Sequence, residues 1–445
     1  MYYHGYPFKF MNIFFSKTQI LLLACLFLFS CRWDSSEKAG GIATIDVVNN
    51  LGKFQVVPLS ELVFELEYIP LETNTNSLIG EVRSVIVTSS RIFIQGYVSE
   101  GVPGQLIAGT TRCYAFSRNG QFICEIGSVG QGPGEYQNID GLTVDEKNQL
   151  LYIETHKTLL EYSYEGVFLR SINKPQGMNE QPIGKISVLH DNLFIGHVTN
   201  HRGNEIYKFI LFNKTGQVVD FFDNHVKFER SGRGIMSIDN AMSPFRLSER
   251  IYVKEKSNDT LYYLNEQNEL ISQFVFNLGK YTVGKKMREI EVGPQTKNIL
   301  NNVLEVPNDL FPMIGTPDYI FFSFLVSSAN IPRPKGIKED ALFIQLGIHD
   351  ITHKKTQLLD IDMVFHMFGL VNDIDGGLFF WPKYYSSSNE LVDIYQAYKM
   401  KEMLTEKYFS AHEIKSPQAH QKLKELLKNL DYEDNPVVVI AKLKK

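Results

Sequence analysis

The sequence predicts an all-β protein: a six-bladed β-propeller of four-stranded antiparallel blades, with a short C-terminal helix and a closing strand. Three observations predict it. An apolar triplet rich in β-branched and aromatic residues, led in by a polar turn, recurs six times along the chain. Several of these triplets run on into a hairpin with stereotyped turn residues. The composition also suits strands, since aromatic residues make up 12% of the 445, with 31 Phe and 22 Tyr against 2 Trp. Hydrophobic and charged shares of 44% and 21% are those of a folded chain. A net charge of -5 without a basic stripe makes nucleic acid a poor partner.

Residues 1–30 read as a signal peptide. "KTQILLLACLFLFSC" sets a lysine before an apolar run of about a dozen residues, short for a membrane span and right for a signal core. Leu28, Phe29 and Ser30 before Cys31 resemble the bacterial lipobox, in which the cysteine is diacylated and becomes the new N-terminus. Cys31 is therefore expected to carry lipid. A secretory signal cleaved elsewhere and an uncleaved anchor helix are the rival readings. "MYYHGYPFKF" lacks the basic start of a signal, whereas Met11 followed by "NIFFSK" supplies one, so Met11 is expected to be the true start. Residues 31–45, including "RWDSSEKAGG", read as a lipidated flexible tether. Arg32, rather than Asp, after the anchor favours outer-membrane sorting and leaves the periplasmic or surface side open.

Residues 46–405 are expected to form the ring. The triplets are "RIFI" at Ile92, "LLYI" at Leu151, "NLFI" at Leu193, "RIYV" at Ile251, "YIFF" at Ile320 and "GLFF" at Leu378. They lie 59, 42, 58, 69 and 58 residues apart, a repeat with loop insertions. In "YAFSRNGQFICEI", "LEYSYEGVFLRSI", "FILFNKTGQVVDFF" and "LYYLNEQNELISQFVF", Ser or Asn precedes Gly or Asn by three residues. That is a type I turn closing on a residue with positive φ, here Gly120, Gly166, Gly216 and Asn268. One repeat thus holds an inner strand, the triplet strand and a hairpin. Packing six such units radially buries both faces of each and shields their edges. A pair of sandwiches, the rival all-β reading, would not require a sixfold motif.

Cys113 and Cys124 flank the first of these turns, and an exported chain meets oxidising conditions. A disulfide between them depends on register, because a Gly bulge would leave them diagonal or on opposite faces. "GSVGQGPGEYQNIDGLTVD", Gly127 to Asp145, is rich in glycine but is followed by Glu135, Tyr136 and a strand. It lacks the Lys-Ser or Lys-Thr of a P-loop and the helix of a dinucleotide loop, and so reads as a blade-to-blade crossing.

"FSRNGQFICEIGSVGQGPGEYQNIDGLTVDEKNQLLYI" resembles an NHL-type repeat and, more closely, the six-bladed propeller lipoproteins of gut Bacteroidales. "YIPLETNTNSLIGEVRSVIV", "YYLNEQNELISQFVFNLG", "NDIDGGLFFWPKY" and the ending "LKELLKNLDYEDNPVVVIAKLKK" extend the likeness over most of residues 45–445. The resemblance implies the fold and carries no assigned reaction.

The longest gap, between the fourth and fifth triplets, includes "QTKNILNNVLEV" and is expected to be an insertion on one face of the ring. Residues 406–445 should supply a helix and a strand packed on the propeller. Ser416 is placed to cap the helix, Pro417 to start it, and Leu423, Leu426, Leu427 and Leu430 to form its apolar stripe. "NPVVVIAKLKK" should pair with the first or last blade and close the ring.

Chemistry-bearing residues are few. His349, Asp350 and His353 in "IHDITHKK" have helical zinc spacing but sit between strands, as a solvated turn would. "NDIDGG" starts like a calcium loop and lacks the later bidentate acid. His190, His197 and His201 share one repeat, but alternation puts 190 and 197 on different faces. No Gly-x-Ser-x-Gly elbow is present. Trp381, with Tyr384 and Tyr385, offers either a stacking platform or blade packing. Glu135, Tyr136, Asp373, Asp375 and Trp381 are the candidate ligand contacts at a loop or channel rim.

The expected protein is a monomeric, lipid-anchored binding or scaffold module for a protein or glycan at the outer membrane, with no cofactor and no catalysis assigned. The alternative is a propeller lyase or hydrolase with calcium or zinc in the central channel.

Overall fold

In a computed structural model the structure describes residues 41–98, 110–176, 183–189, 192–200, 203–227, 242–247, 250–255, 258–282, 304, 312–326, 331–338 and 341–444. Cys31, His190, His201 and nearly all of the "QTKNILNNVLEV" insertion lie outside them. The hairpin turns close as their residues dictate. Gly120, Gly166, Gly216 and Asn268 have φ of +85°, +82°, +77° and +60°. Each donates its N–H to the carbonyl three residues back, as Gly120 does to Ser117 at 3.0 Å. A one-residue bulge follows at the same place in the first three hairpins and two pairs further from the turn in the fourth.

Six antiparallel sheets result. The first blade runs Glu81–Val87, Arg91–Val98, Thr110–Ser117 and Phe122–Glu125; the second Gly141–Asp145, Leu150–Glu154, Thr158–Ser163 and Phe168–Asn173. The third is Ile183–Val188, Leu193–Val198, Tyr207–Asn213 and Val218–Asp223; the fourth Met242–Leu247, Arg250–Glu255, Thr260–Leu264 and Leu270–Asn277. Ile314–Gly315, Tyr319–Val326, Phe343–Asp350 and Lys355–Leu359 make the fifth. In the sixth, Tyr384–Ser386 and Glu390–Tyr395 are joined by the C-terminal strand Val437–Leu443 and, outermost, by Val63–Pro70 from the other end of the chain. The predicted closure is therefore present, with the C-terminal strand and the N-terminal-half strand Val63–Pro70 paired in one blade.

Second strands are continuous apolar runs because both of their faces are covered. Ile92 and Ile94 pack against Val392, Ile394, Val438 and Ile440 of the sixth blade, while Phe93 between them points to Leu151 and Ile153 of the second. The N-terminal segment adds what the sequence did not reveal: Ala43–Asp46 and Phe54–Gln55 pair in parallel as fifth strands on blades four and five.

One expectation is corrected here, and the question of the disulfide is answered. "GLFF" at Leu378 is not the second strand of the last blade; it is a buried crossing in which Phe380 bridges Leu370, and the strand is Glu390–Tyr395. The disulfide is not formed. The bulge sets Ala115, rather than Cys113, opposite Cys124, so the two cysteines are diagonal and both are free.

Between the second and third strands of blade six, residues 396–436 form three helices, α1 (Ala397–Met403), α2 (Glu406–Ala411) and α3 (Pro417–Asn429). Ser416 caps α3 through its Oγ, which accepts from Ala419 N–H at 3.3 Å, and Pro417 is its first residue. Leu423 and Leu430 are buried with Tyr408 and Phe409.

Candidate functional site

The strand order gives the ring two unlike faces. The links from first to second strand and from third to fourth are tight turns on one face. The links from second to third strand and the blade-to-blade crossings emerge on the other. That loop face carries residues 126–140, 199–200, 203–206 and 360–383 and the three helices.

Buried polar side chains fasten this face. The residue after the apolar triplet, at the loop-face side of the second strand, is Gln95, Glu154, Lys254 and Ser323 in blades one, two, four and five, and all are buried. Asp393 holds a comparable place in blade six, while blade three has Gly196. Gln95 Nε2 donates to Ile139 O at 2.9 Å, Glu154 accepts from Ile186 N–H at 3.0 Å and Asp393 accepts from Trp381 N–H at 3.0 Å. Gln95 and Asp393 thus grip crossing segments, and Glu154 grips the first strand of the next blade. Glu154 also meets Lys174 Nζ at 3.1 Å, both side chains being almost fully buried.

The predicted residues fall into this frame, not into one site. In the glycine-rich crossing, Glu135 folds back so that its Oε2 accepts from Gly132 N–H at 2.7 Å, and a Cβ at Gly130 would lie 2.0 Å from that oxygen. The carboxylate therefore occupies the place where a phosphate loop would hold its anion. Tyr136 is buried: its hydroxyl donates to Ile126 O at 3.2 Å and accepts from Cys113 N–H at 3.3 Å. Tyr136 is thus a core residue, whereas Glu135 is exposed with one carboxylate oxygen committed to the loop, which also has Val129 and Gln131 at its surface.

Asp373 and Asp375 form a clasp. Asp373 accepts from Ser60 N–H at 2.9 Å and Ser60 Oγ–H at 2.5 Å and pairs with Lys415 Nζ at 2.7 Å. Burial alone would raise its pKa, but the hydrogen bonds from Lys415 and Ser60 hold it below the ordinary carboxylate value. Lys415 also donates to Ser60 Oγ at 2.9 Å. The hydrogen bond to Asp373 pushes the Lys415 pKa up, the opposite of the shift that a Ser-Lys base needs. Asp375 is buried and accepts from Asn372 Nδ2 at 2.7 Å, Gly377 N–H at 2.9 Å and Tyr68 Oη at 3.1 Å. Burial raises its pKa despite these bonds. The clasp joins the N-terminal segment, the last crossing and the approach to α3.

Trp381 is 3% exposed and packs edge-on to Phe321 at 5.6 Å, so it belongs to the core and not to a platform. His349 is buried in its strand beside Thr356 Oγ1 at 3.0 Å, with its pKa lowered by burial. Only His353, bonded to Asp350 at 2.8 Å, fits the exposed turn.

A second polar cluster, missed in the sequence, lies at the loop face of blades three and four. His197, Asn200, Lys208, Asn224 and Glu255 line a small cleft, with Lys208 Nζ 3.4 Å from Glu255 Oε2 and 4.7 Å from the Tyr262 ring centre. Only a comparison of loops between repeats could have exposed it. Along the axis, the six inner strands contain no histidine and only two carboxylates, Glu81 and Asp145. Among the described residues no group of three or more His, Cys, Asp or Glu is placed to hold a metal, and no helix is long and apolar enough to cross a membrane.

The model of the family described as "Domain of unknown function (DUF4934)" matches residues 42–442, and the chain belongs to that family. No curated protein matches it. A crystal structure of a Bacteroides fragilis protein, BF0058, provisionally named an exported protein, superposes with a TM-score of 0.62 at 15% identity. It covers 91% of this chain and 100% of that one, and it shares the fold. A member of the DUF4221 family from Bacteroides vulgatus gives 0.45 at 10% identity, over 86% of this chain and 97% of its own. A streptogramin B lyase gives 0.31 at 10%, over 68% and 89%. At those last two scores the likeness carries no inference.

Proposed function

We propose, taking membership of that family as the premise, that the chain is a non-catalytic binding module of the cell envelope. In this reading it is anchored through lipid on Cys31 at the outer membrane and presents its loop face, as a monomer, to a protein or glycan. The observation that carries this is the division of the ring: among the described residues the long connections leave from one face, on a scaffold closed by pairing Val437–Leu443 with Val63–Pro70. Rigid scaffolds with loops gathered on one side are how binding surfaces are built. The channel-enzyme alternative draws no support from the inner strands, which bring no histidine to the axis.

Two variants test the reading. Cys31→Ser should abolish incorporation of a clickable fatty acid and release the chain from the membrane fraction. Shortening the exposed Val129–Pro133 tip should leave the fold intact and weaken capture of the partner in cross-linked envelopes. Unchanged capture with the tip removed and blade-one loops blocked would refute the loop-face assignment.

A further inference from the structure

Among the described residues, the three most exposed large hydrophobic side chains are Val364, at 73%, and Val56 and Leu342, at 65% each. They come from three separate stretches of chain that the fold gathers on the loop face of blades five and six. Val364 is at the tip of a two-stranded hairpin in the last crossing, Ile361–Asp362 paired with Met367–Phe368. Asp360 N–H donates to Gln55 O at 2.8 Å, which sets Val56 beside the base of that hairpin. Met363 packs on the loop between the second and third strands of blade five, where a Cβ at Gly336 would lie 3.0 Å from its Cγ, and Leu342 ends that loop. Exposed apolar side chains scattered singly are ordinary, but a group of them marks a contact surface.

The hairpin turns its polar groups inward. Asp362 Oδ1 accepts from the N–H groups of Val364 at 2.7 Å and Phe365 at 3.0 Å, and its Oδ2 faces His412 at 3.6 Å, so the acid of the hairpin is spent on its own turn and on the helical segment. Asp360 likewise accepts from Ile361 N–H at 2.9 Å. Phe365 turns in against Tyr408 of α2, with 4.9 Å between ring centres, and leaves Val364 at the tip. Between Ile361 and Phe368 only His366 exposes a polar side chain. Aliphatic side chains with their polar neighbours turned away offer a sugar little to bond, and they select an apolar partner.

We propose that this patch docks on the lipid surface to which the chain is anchored. The inference rests on the lipid anchor of the binding-module reading and adds a second, non-covalent contact to it. Ile42, which leads into the fifth strand of blade four, is eleven residues after Cys31. Extended chain of that length spans at most roughly 40 Å. Within that reach the bilayer is present at high effective concentration, so a few aliphatic side chains suffice where they would be too weak to recruit a free protein. Docked in this way, the ring stands on blades five and six, and the crossing 126–140, on the other side of the ring, is left clear of the lipid.

The test places an environment-sensitive fluorophore on Val364→Cys, or on Asn119→Cys at the turn face, in the full chain reconstituted into phosphatidylethanolamine and phosphatidylglycerol vesicles. The probe at 364 should shift to shorter wavelength and lose intensity when nitroxide-bearing lipid is included, and the probe at 119 should do neither. An unquenched probe at 364 on a chain that floats with the vesicles overturns the docking and leaves the anchor standing. A chain that does not float has no anchor, and the docking falls with it. A probe that shifts in whole cell envelopes but not in vesicles assigns the patch to a protein and overturns the lipid reading. Carried on Val56→Cys instead, the probe should be quenched in the parent and not once Leu342→Asp and Val364→Asp are added. Quenching that survives them means that the tether alone brings this face to the lipid, and overturns the proposal.

Discussion

Replacing Glu154 by Gln isolates what the buried polar side chains contribute to the loop face. The amide keeps an oxygen for Ile186 N–H but removes the charge facing Lys174, 3.1 Å away, in a pair whose side chains are 5% and 4% exposed. Because the ammonium is then buried without a counter-ion, the loss should be about 3–5 kcal/mol, far above the 0–1 kcal/mol of a surface pair. Lys174→Met should be comparably damaging, since it strands the carboxylate. The double variant removes both charges and should recover most of the loss, with a coupling energy of at least about 2 kcal/mol. Urea unfolding followed by circular dichroism on the four proteins measures this. A single substitution within about 1 kcal/mol of the parent, or additive losses in the double variant, would refute the reasoning.

Other consequences are as direct. Gly120→Ala puts a Cβ 2.1 Å from Pro70 O at a φ of +85°, so it should destabilise by more than about 1 kcal/mol, whereas Asn268→Gly should gain up to about 1 kcal/mol; the same unfolding assay decides. Cys113 and Cys124 should both titrate as thiols in denaturant and react slowly when folded, because burial pushes both pKa values up; a midpoint that falls on adding reductant would contradict the free thiols. The two aspartates of the clasp should respond to pH with opposite sign. Asp373, with its pKa depressed, contributes at neutral pH and loses that contribution as pH falls below about 4, so Asp373→Asn should hurt more at pH 7 than at pH 3. Asp375, with its pKa raised, contributes below about 4 and loses that contribution as pH rises through its folded value, so Asp375→Asn should gain on the parent as pH is raised to 7. Deleting Val437–Leu443 removes the third strand of blade six and should abolish the cooperative unfolding transition.

The hairpins were legible in the sequence because their chemistry is local: Gly120, Gly166, Gly216 and Asn268 announce positive φ within five residues. Five second strands were legible because a strand covered on both faces must be continuously apolar. Leu378 misled for the same reason. A crossing buried beneath α1–α3 is as apolar as a strand, and periodicity cannot separate the two over four residues. The true strand, Glu390–Tyr395, hides behind Glu390 and Asp393, which are buried through pairing with Arg118 and Lys383. The fifth strands at Ala43–Asp46 and Phe54–Gln55 are too short to signal themselves and exist through blade edges more than 200 residues away. Asp373 and Asp375 stood out as a carboxylate pair, but their role depends on Ser60, Tyr68 and Lys415, brought together only by ring closure. Val364 gave no signal, since the exposure of an apolar side chain is a property of its surroundings and not of its own segment.

The reading of the loop face as the working surface is tested most directly by placing a photo-cross-linking amino acid at Gln131, on the loop face, or at Asn119, on the turn face, of the full chain in intact cells. The account predicts a discrete adduct with protein or glycan from Gln131 and none from Asn119. Adducts of equal yield from both positions, or from Asn119 alone, would contradict it.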